Sequence, residues 1–345
     1  MGYAVLPYRA PLSAYQDLAH RLQSERQCTL DDAQLAVARL HDFRDWPALT
    51  AYVHEVSTDS PVSRFEAAVE SLISGDAPTL RAILAAHPEL VHARSTRITP
   101  FDPPQHRATL LHYIAANGIE GYRQTTPPNA VEIASLLLDA GADPNALASF
   151  YGGECTTLSL LVSSTPPAQA GLQVPLTKLL IERGAHLESH GEGNWISPLV
   201  TALVFGFRQT ADCLAALGAR VDTIEKAAGL GRLAEVERLA PGSPQESKQR
   251  ALALAVISGE LDTAAALLRS GADPTQVHPP AFHAHSTPLH QAALAGNLPM
   301  MQLLIQHGAR LDLPDRIHHS TPLGWAEWAG QTAAAGWLRS FPSNP

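Results

Sequence analysis

Cysteine is scarce in this chain of 345 residues: Cys28, Cys155 and Cys213 are all there is. An odd, scattered set supplies neither a disulfide frame nor a metal cluster, and reads as reduced thiols in a cytoplasmic protein. No apolar run is long enough to cross a bilayer. The opening MGYAVLPYRAPL has no basic region followed by a long apolar core, so no secretory signal is expected. Leu6 stands where an N-myristoylation signal needs Ser or Thr. Lys/Arg runs are missing too, and 24 basic residues meet 33 acidic ones for a formal charge of −9. That balance argues against nucleic acid and anionic membranes as main partners. The sequence holds no G-x-S-x-G, HExxH, P-loop or CxxC, so no cofactor is expected.

What the chain has instead is a period. Residues 287–313, TPLHQAALAGNLPMMQLLIQHGARLDL, form one complete helix–turn–helix unit. Thr287 can cap a helix with its hydroxyl, and Pro288 suits a first turn, where its missing N–H would have no partner. Leu289, Ala292 and Ala293 form a small apolar stripe, and Gly296-Asn297 breaks the helix. Met300, Leu303 and Leu304 form the stripe of a second helix, which Gly308 ends. Thr321-Pro322-Leu323 starts the next unit, a period of about thirty-three residues. One such unit cannot bury its own apolar face, so units must stack.

Thr287-Pro288-Leu289-His290 with Ala292 closely resembles the ankyrin repeat, whose signature includes T-P-L-H-x-A. The resemblance implies an all-α solenoid of about seven to eight helix–turn–helix units. Weaker copies begin near Phe65, Thr109, Thr156, Ser197, Ile224 and Gln249. Repeat two carries an insertion from Ile119 to Asn129, and repeat three one from Ser163 to Gln173. The expected division is an N-terminal helical cap over 1–58 and the repeats over 62–345, with Ser57 to Pro61 as a polar joint. DDAQLAVARLHDFRDWPAL, LLHYIAANGIEGYRQTTPPNAVEIASLLLDAGAD and YGGECTTLSLLVSS resemble segments that recur in one bacterial ankyrin subgroup. No activity comes with that likeness.

Gly229-Leu230-Gly231-Arg232-Leu233-Ala234 fits the dinucleotide fingerprint, which needs a preceding strand. Here the glycines sit where the other repeats turn, so the structural reading is preferred. His106, His186, His190, His278, His283, His285, His318 and His319 are expected in projecting loops. His283 and His285 in one loop and His318 and His319 in the next could face each other across a metal; solvated or hydrogen-bonded imidazoles are the preferred reading. His112 and His290 hold the TPLH position, where a structural hydrogen bond is expected.

Ankyrin loops and first helices line a binding surface, and exposed aromatics flanked by polar groups are typical binding anchors. Phe101, Phe150, Tyr151, Glu154, Glu192 and Trp195, with His283 and His285, make up that candidate surface; the rival reading packs the aromatics beneath long loops. Asp102 with Glu154 is conceivable as an acid–base pair. The expectation is a monomeric scaffold for a protein partner. The alternative is an enzyme or a small-molecule or metal site in the loops of repeats one to three or the histidine-rich loops of repeats six and seven.

Overall fold

Short polar residues start the helices where the sequence expects them. In a computed structural model, which describes residues 4–188 and 197–341, Thr29 accepts a hydrogen bond from the Asp32 amide at 3.1 Å and Asp45 one from Ala48 at 2.9 Å. Each satisfies a first-turn N–H that has no partner within its helix. The helices are α1 (Leu12–Arg26), α2 (Leu30–Leu40) and α3 (Trp46–Val56). On α1, Tyr15, Leu18, Ala19 and Leu22 are buried at helical spacing, and they meet Val37, Phe43, Leu49 and Val53 in one apolar cluster.

The chain divides into two compact units, 1–198 and 199–345. In the first unit, repeat one is α4 (Pro61–Ser74) and α5 (Ala77–Ala86), capped by Ser60 and Asp76. Repeat two is the short α6 (Leu110–Tyr113) and α7 (Ala130–Asp139). Between them the expected insertion folds as a single 3₁₀ turn, Gly121–Arg123. A two-stranded hairpin follows, β1 (Ala148–Phe150) and β2 (Gly153–Cys155), with Ser149 opposite Glu154. Repeat three is α8 (Thr157–Leu161) and α10 (Gln173–Glu182); its insertion contains a small helix, α9 (Thr165–Gln169).

The second unit holds five helix pairs. They are α11 (Pro198–Val204) with α12 (Arg208–Ala216), α13 (Ile224–Gly229) with α14 (Leu233–Leu239), α15 (Gln245–Ser258) with α16 (Leu261–Arg269), α17 (Pro288–Leu294) with α18 (Leu298–Gln306), and α19 (Pro322–Trp328) with α20 (Thr332–Arg339). A continuous core runs through the last four of them, from Ile224 and Ala227 through Leu252, Leu267, Leu289 and Leu304 to Leu338. Eight pairs in all are described, and the chain is an all-α repeat protein with a single hairpin among the described residues.

The repeat signature explains itself in these units. Thr287 and His290 form a reciprocal cap: the Thr287 amide donates to His290 Nδ1 at 3.2 Å. Since Nδ1 accepts, the ring proton lies on Nε2, which donates to the Ser320 carbonyl of the next repeat at 3.0 Å. His112 repeats this with Thr109 and the carbonyl of Cys155. One imidazole thus closes its own helix and ties on the following loop. Gly308 (φ 94°) ends α18 in the left-handed region, and Ala309 behind it turns back into the core.

The dinucleotide reading has no support here. Gly229 is the last residue of helix α13, with no strand before it among the described residues of this unit. Its lack of a side chain serves packing: an added Cβ would lie 2.7 Å from Leu203 Cδ1.

Candidate functional site

The expected surface residues part company in the structure. Phe101 is half exposed at 50% and Tyr151 at 58%, with the Tyr151 hydroxyl donating to Asn117 Oδ1 at 2.7 Å. Phe150 is buried at 4%, stacked on the His106 ring at 5.1 Å, and belongs to the interior, not the binding surface. The hairpin is the reason. Tyr151 and Gly152 both have positive φ, which closes a two-residue turn and sends Tyr151 outward while Phe150 folds under. Asp102 and Glu154 stand exposed on two different loops. Glu192, Trp195 and His190 lie outside the described residues.

His106 is no projecting loop residue either: it is buried at 3%. It belongs to an ionic cluster that sequence reasoning missed. Arg97, from the loop after repeat one, lies over the rings of Phe43 (4.1 Å) and Tyr52 (4.6 Å) and donates to the His41 carbonyl at 2.9 Å. Its Nε is 3.0 Å from Glu120 Oε1. Arg123, from the insertion, donates to Glu66 at 2.6 Å and to Glu70 at 2.8 Å. Tyr52 donates to Glu66 at 3.0 Å. The Ala108 amide donates to His106 Nδ1, which leaves Nε2–H facing Glu120 at 3.3 Å. Burial alone would raise the Glu120 carboxyl, but Arg97, the His106 bond and Arg123 hold it well below the usual carboxylate range. Arg97, Arg123, Glu66 and Glu120 are each at most 3% exposed, so nothing in solution reaches them. The cluster joins the N-terminal helices, repeat one, its following loop and the insertion. A sequence signal existed: the insertion carries Glu120 and Arg123 close together, where a solvent loop has no need of a buried pair.

In the second unit, three of the expected histidines do come together. His283, His285 and His318 line a cleft of about 580 Å³ with Gln291, Leu294, Ser320, Gly324, Trp325 and Trp328. His319 is exposed and is not among the lining residues. The walls are projecting loops and the floor is the first helices of the last two repeats. Counting back from the turn glycines Gly259, Gly296 and Gly330 places Ile257, Leu294 and Trp328 at equivalent positions of successive repeats. Leu294 and Trp328 of the floor therefore lie in one apolar row. Trp328, at its end, is 85% exposed.

Asp315 sets the geometry of the outer loop. Its carboxylate accepts from the amides of Ile317 (2.9 Å), His318 (2.7 Å) and Ser320 (3.0 Å) and from Trp325 Nε1 (3.0 Å). Burial opposes its charge, yet these four donors hold the group well below the usual range. The same carboxylate therefore shapes the loop that carries His318 and fixes the Trp325 indole. The His285 ring lies 5.6 Å from that indole and 6.2 Å from His283. His283 Nε2 faces the Val204 carbonyl at 3.0 Å and so must carry the proton. Desolvation first, then His283, lowers the His285 pKa.

A metal reading finds no supporting cluster. Among the described residues no three His, Cys, Asp or Glu side chains are grouped to hold an ion. His278, also expected in a projecting loop, is buried at 1% with Nδ1 on the Phe282 carbonyl. The charge pattern around the cleft was legible but unread: residues 274–309 contain no Asp, Glu, Lys or Arg at all. A larger cleft of about 840 Å³ lies between the N-terminal helices and repeat one, where Arg64 is already paired with Asp59.

Comparison with known proteins gives a consistent family. A model of three consecutive ankyrin repeats matches residues 254–343, and a single-repeat model matches 106–149. Ankyrin repeat and SOCS box protein 6 of Mus musculus is 39% identical over 82 residues, which is 24% of this chain and 19% of that protein. The chain thus spans about a fifth of that relative's length. Among solved structures, the human ASB11 ankyrin repeat domain is similar at 22% identity and a TM-score of 0.40, over 80% of this chain and 99% of that one. No described helix is long and apolar enough to cross a membrane. The reciprocal Thr–His caps, the paired helices and the two family matches together place the chain among the ankyrin-repeat proteins.

Proposed function

We propose that this chain is a binding scaffold whose working surface is the cleft of the last two repeats. Ankyrin repeats generally serve protein–protein interaction, and the reading here adds the place. The observation that carries it is Trp328. An indole 85% exposed at the end of an apolar stripe sacrifices burial that a core position would provide. Trp is among the side chains enriched at binding hot spots. The neighbouring Trp325 is fixed by Asp315, so the surface is organised before a partner arrives. Phe101 and Tyr151 offer a second exposed aromatic surface on the first unit, as the sequence suggests.

The test is a photo-crosslinking amino acid placed at Leu294 in the full chain, followed by identification of the captured protein. Capture of one protein, suppressed when Trp328→Ala is added, supports the cleft. Capture that Trp328→Ala leaves unchanged removes it.

A further inference from the structure

We infer that the cleft takes an acidic, apolar segment of a partner protein, with its carboxylate against His285 and His318 and its apolar side chain on Leu294 and Trp328. This rests on the cleft being the working surface and adds the chemistry of its occupant. The argument is one of charge. No described lining residue carries a carboxylate, an ammonium or a guanidinium. Asp315 lies beside the cleft, but four donors already occupy its oxygens. A cationic side chain entering here finds no counter-ion in the lining, and the oxygens of Asp315 are already taken. A carboxylate meets no like charge in the lining and finds two imidazoles. The rings of His285 and His318 have no hydrogen-bond partner among the described residues, while His283 is committed to the Val204 carbonyl. Imidazole, neutral or charged, can donate to a carboxylate. The floor of Leu294 and the exposed indole of Trp328 suits an aliphatic or aromatic side chain beside the acid.

A pH dependence follows. The charged and titratable groups facing His285 are His283 on its own loop, His290 on the first helix, and Asp315, Arg316 and His318 on the next loop. Arg316 reaches it through the backbone, donating to the His285 carbonyl at 2.8 Å. Burial and the neighbouring histidines lower the His285 pKa, with Asp315 opposing them. A bound carboxylate favours the protonated ring, so binding takes up a proton and strengthens as pH falls.

The probe is a random peptide library displayed on phage, selected on the full chain. Selected peptides are then synthesised and titrated calorimetrically at about pH 7.5 and about pH 6, on either side of the ordinary histidine value. The expected peptides share an Asp or Glu next to an aliphatic or aromatic residue. They bind at least about threefold more tightly at the lower pH, and the double change His285→Gln with His318→Gln abolishes that gain. Peptides without an acidic residue, or a pH gain that survives the double change, overturn the inference. If such charge-blind peptides still lose binding in Trp328→Ala, the cleft stands and only the acidic partner falls. Peptides indifferent to Trp328→Ala remove the cleft itself.

Discussion

His112 shows how much one side chain does in this fold. It accepts at Nδ1 from its own helix start and donates at Nε2 to the next repeat, which only the neutral ring can do. Burial pushes its pKa down to about 4, and that of His278 to about 3. Both folded values lie below the unfolded histidine value. The neutral rings therefore stabilise the fold fully above about pH 6.5, and that contribution is lost as pH falls toward about 4. Denaturant titrations between those limits are expected to show stability falling by about 1.4 kcal/mol per pH unit for each such imidazole. His112→Asn is expected to lower stability at neutral pH and to flatten that slope. A slope unchanged in the variant contradicts the assignment. Glu120 makes a separate case, since its carboxyl stays ionised through this window. Replacing it by Gln leaves Arg97 buried without its nearest counter-ion. A loss of about 3–5 kcal/mol is expected in equilibrium unfolding, against near zero for the exposed Glu154→Gln.

At the scale of elements, the helix pairs were legible because their signals are local. Thr-Pro at a helix start, a small apolar stripe, a turn glycine and Gly-Ala at the end each specify their own neighbourhood, and they recur. The loops were not legible in the same way. Phe150 and Tyr151 are adjacent and both aromatic, and only the turn geometry sends one inward and the other outward. His106 and Arg97 suit a solvated loop as well as a buried pair, and the partner that decides, Glu120, comes from a distant insertion. The sequence places Gly229 at the turn between helices; it is the last residue of α13, and the close approach behind it depends on Leu203 in the preceding repeat. Gly229→Ala is expected to destabilise by about 1–3 kcal/mol through overpacking. Combined with Leu203→Ala, the two changes should cost measurably less than their sum, because the smaller side chain makes room. Strict additivity in that cycle would mean that the contact has no energetic consequence.

For the molecule as a whole, the ionic cluster bears on the division expected from sequence. Residues 1–58 read as a cap on the repeats from 62 onward. Tyr52 and the His41 carbonyl contribute to the cluster that Arg97, Arg123 and Glu66 complete from the repeats. We therefore expect a chain lacking 1–58 to lose helical signal and bind a hydrophobic dye, because Glu66 and Arg97 lose partners as well as apolar cover. A truncated chain that unfolds as cooperatively as the parent would show that the segment is a passenger. The candidate site was half legible. His283, His285 and His318 stand out from loop position, but Trp325 and Trp328 carry no such mark. The exposure of Trp328 follows from its place on the first helix of the last repeat, where no periodicity distinguishes it from a buried face.

The central claim is that Trp328 anchors a partner. Its most direct test is the affinity of the full chain and of Trp328→Ala for the protein captured at the cleft, alongside thermal unfolding of both. A loss of at least about tenfold, or about 1.4 kcal/mol, with an unchanged unfolding temperature is expected. Equal affinities in two equally stable proteins would contradict it.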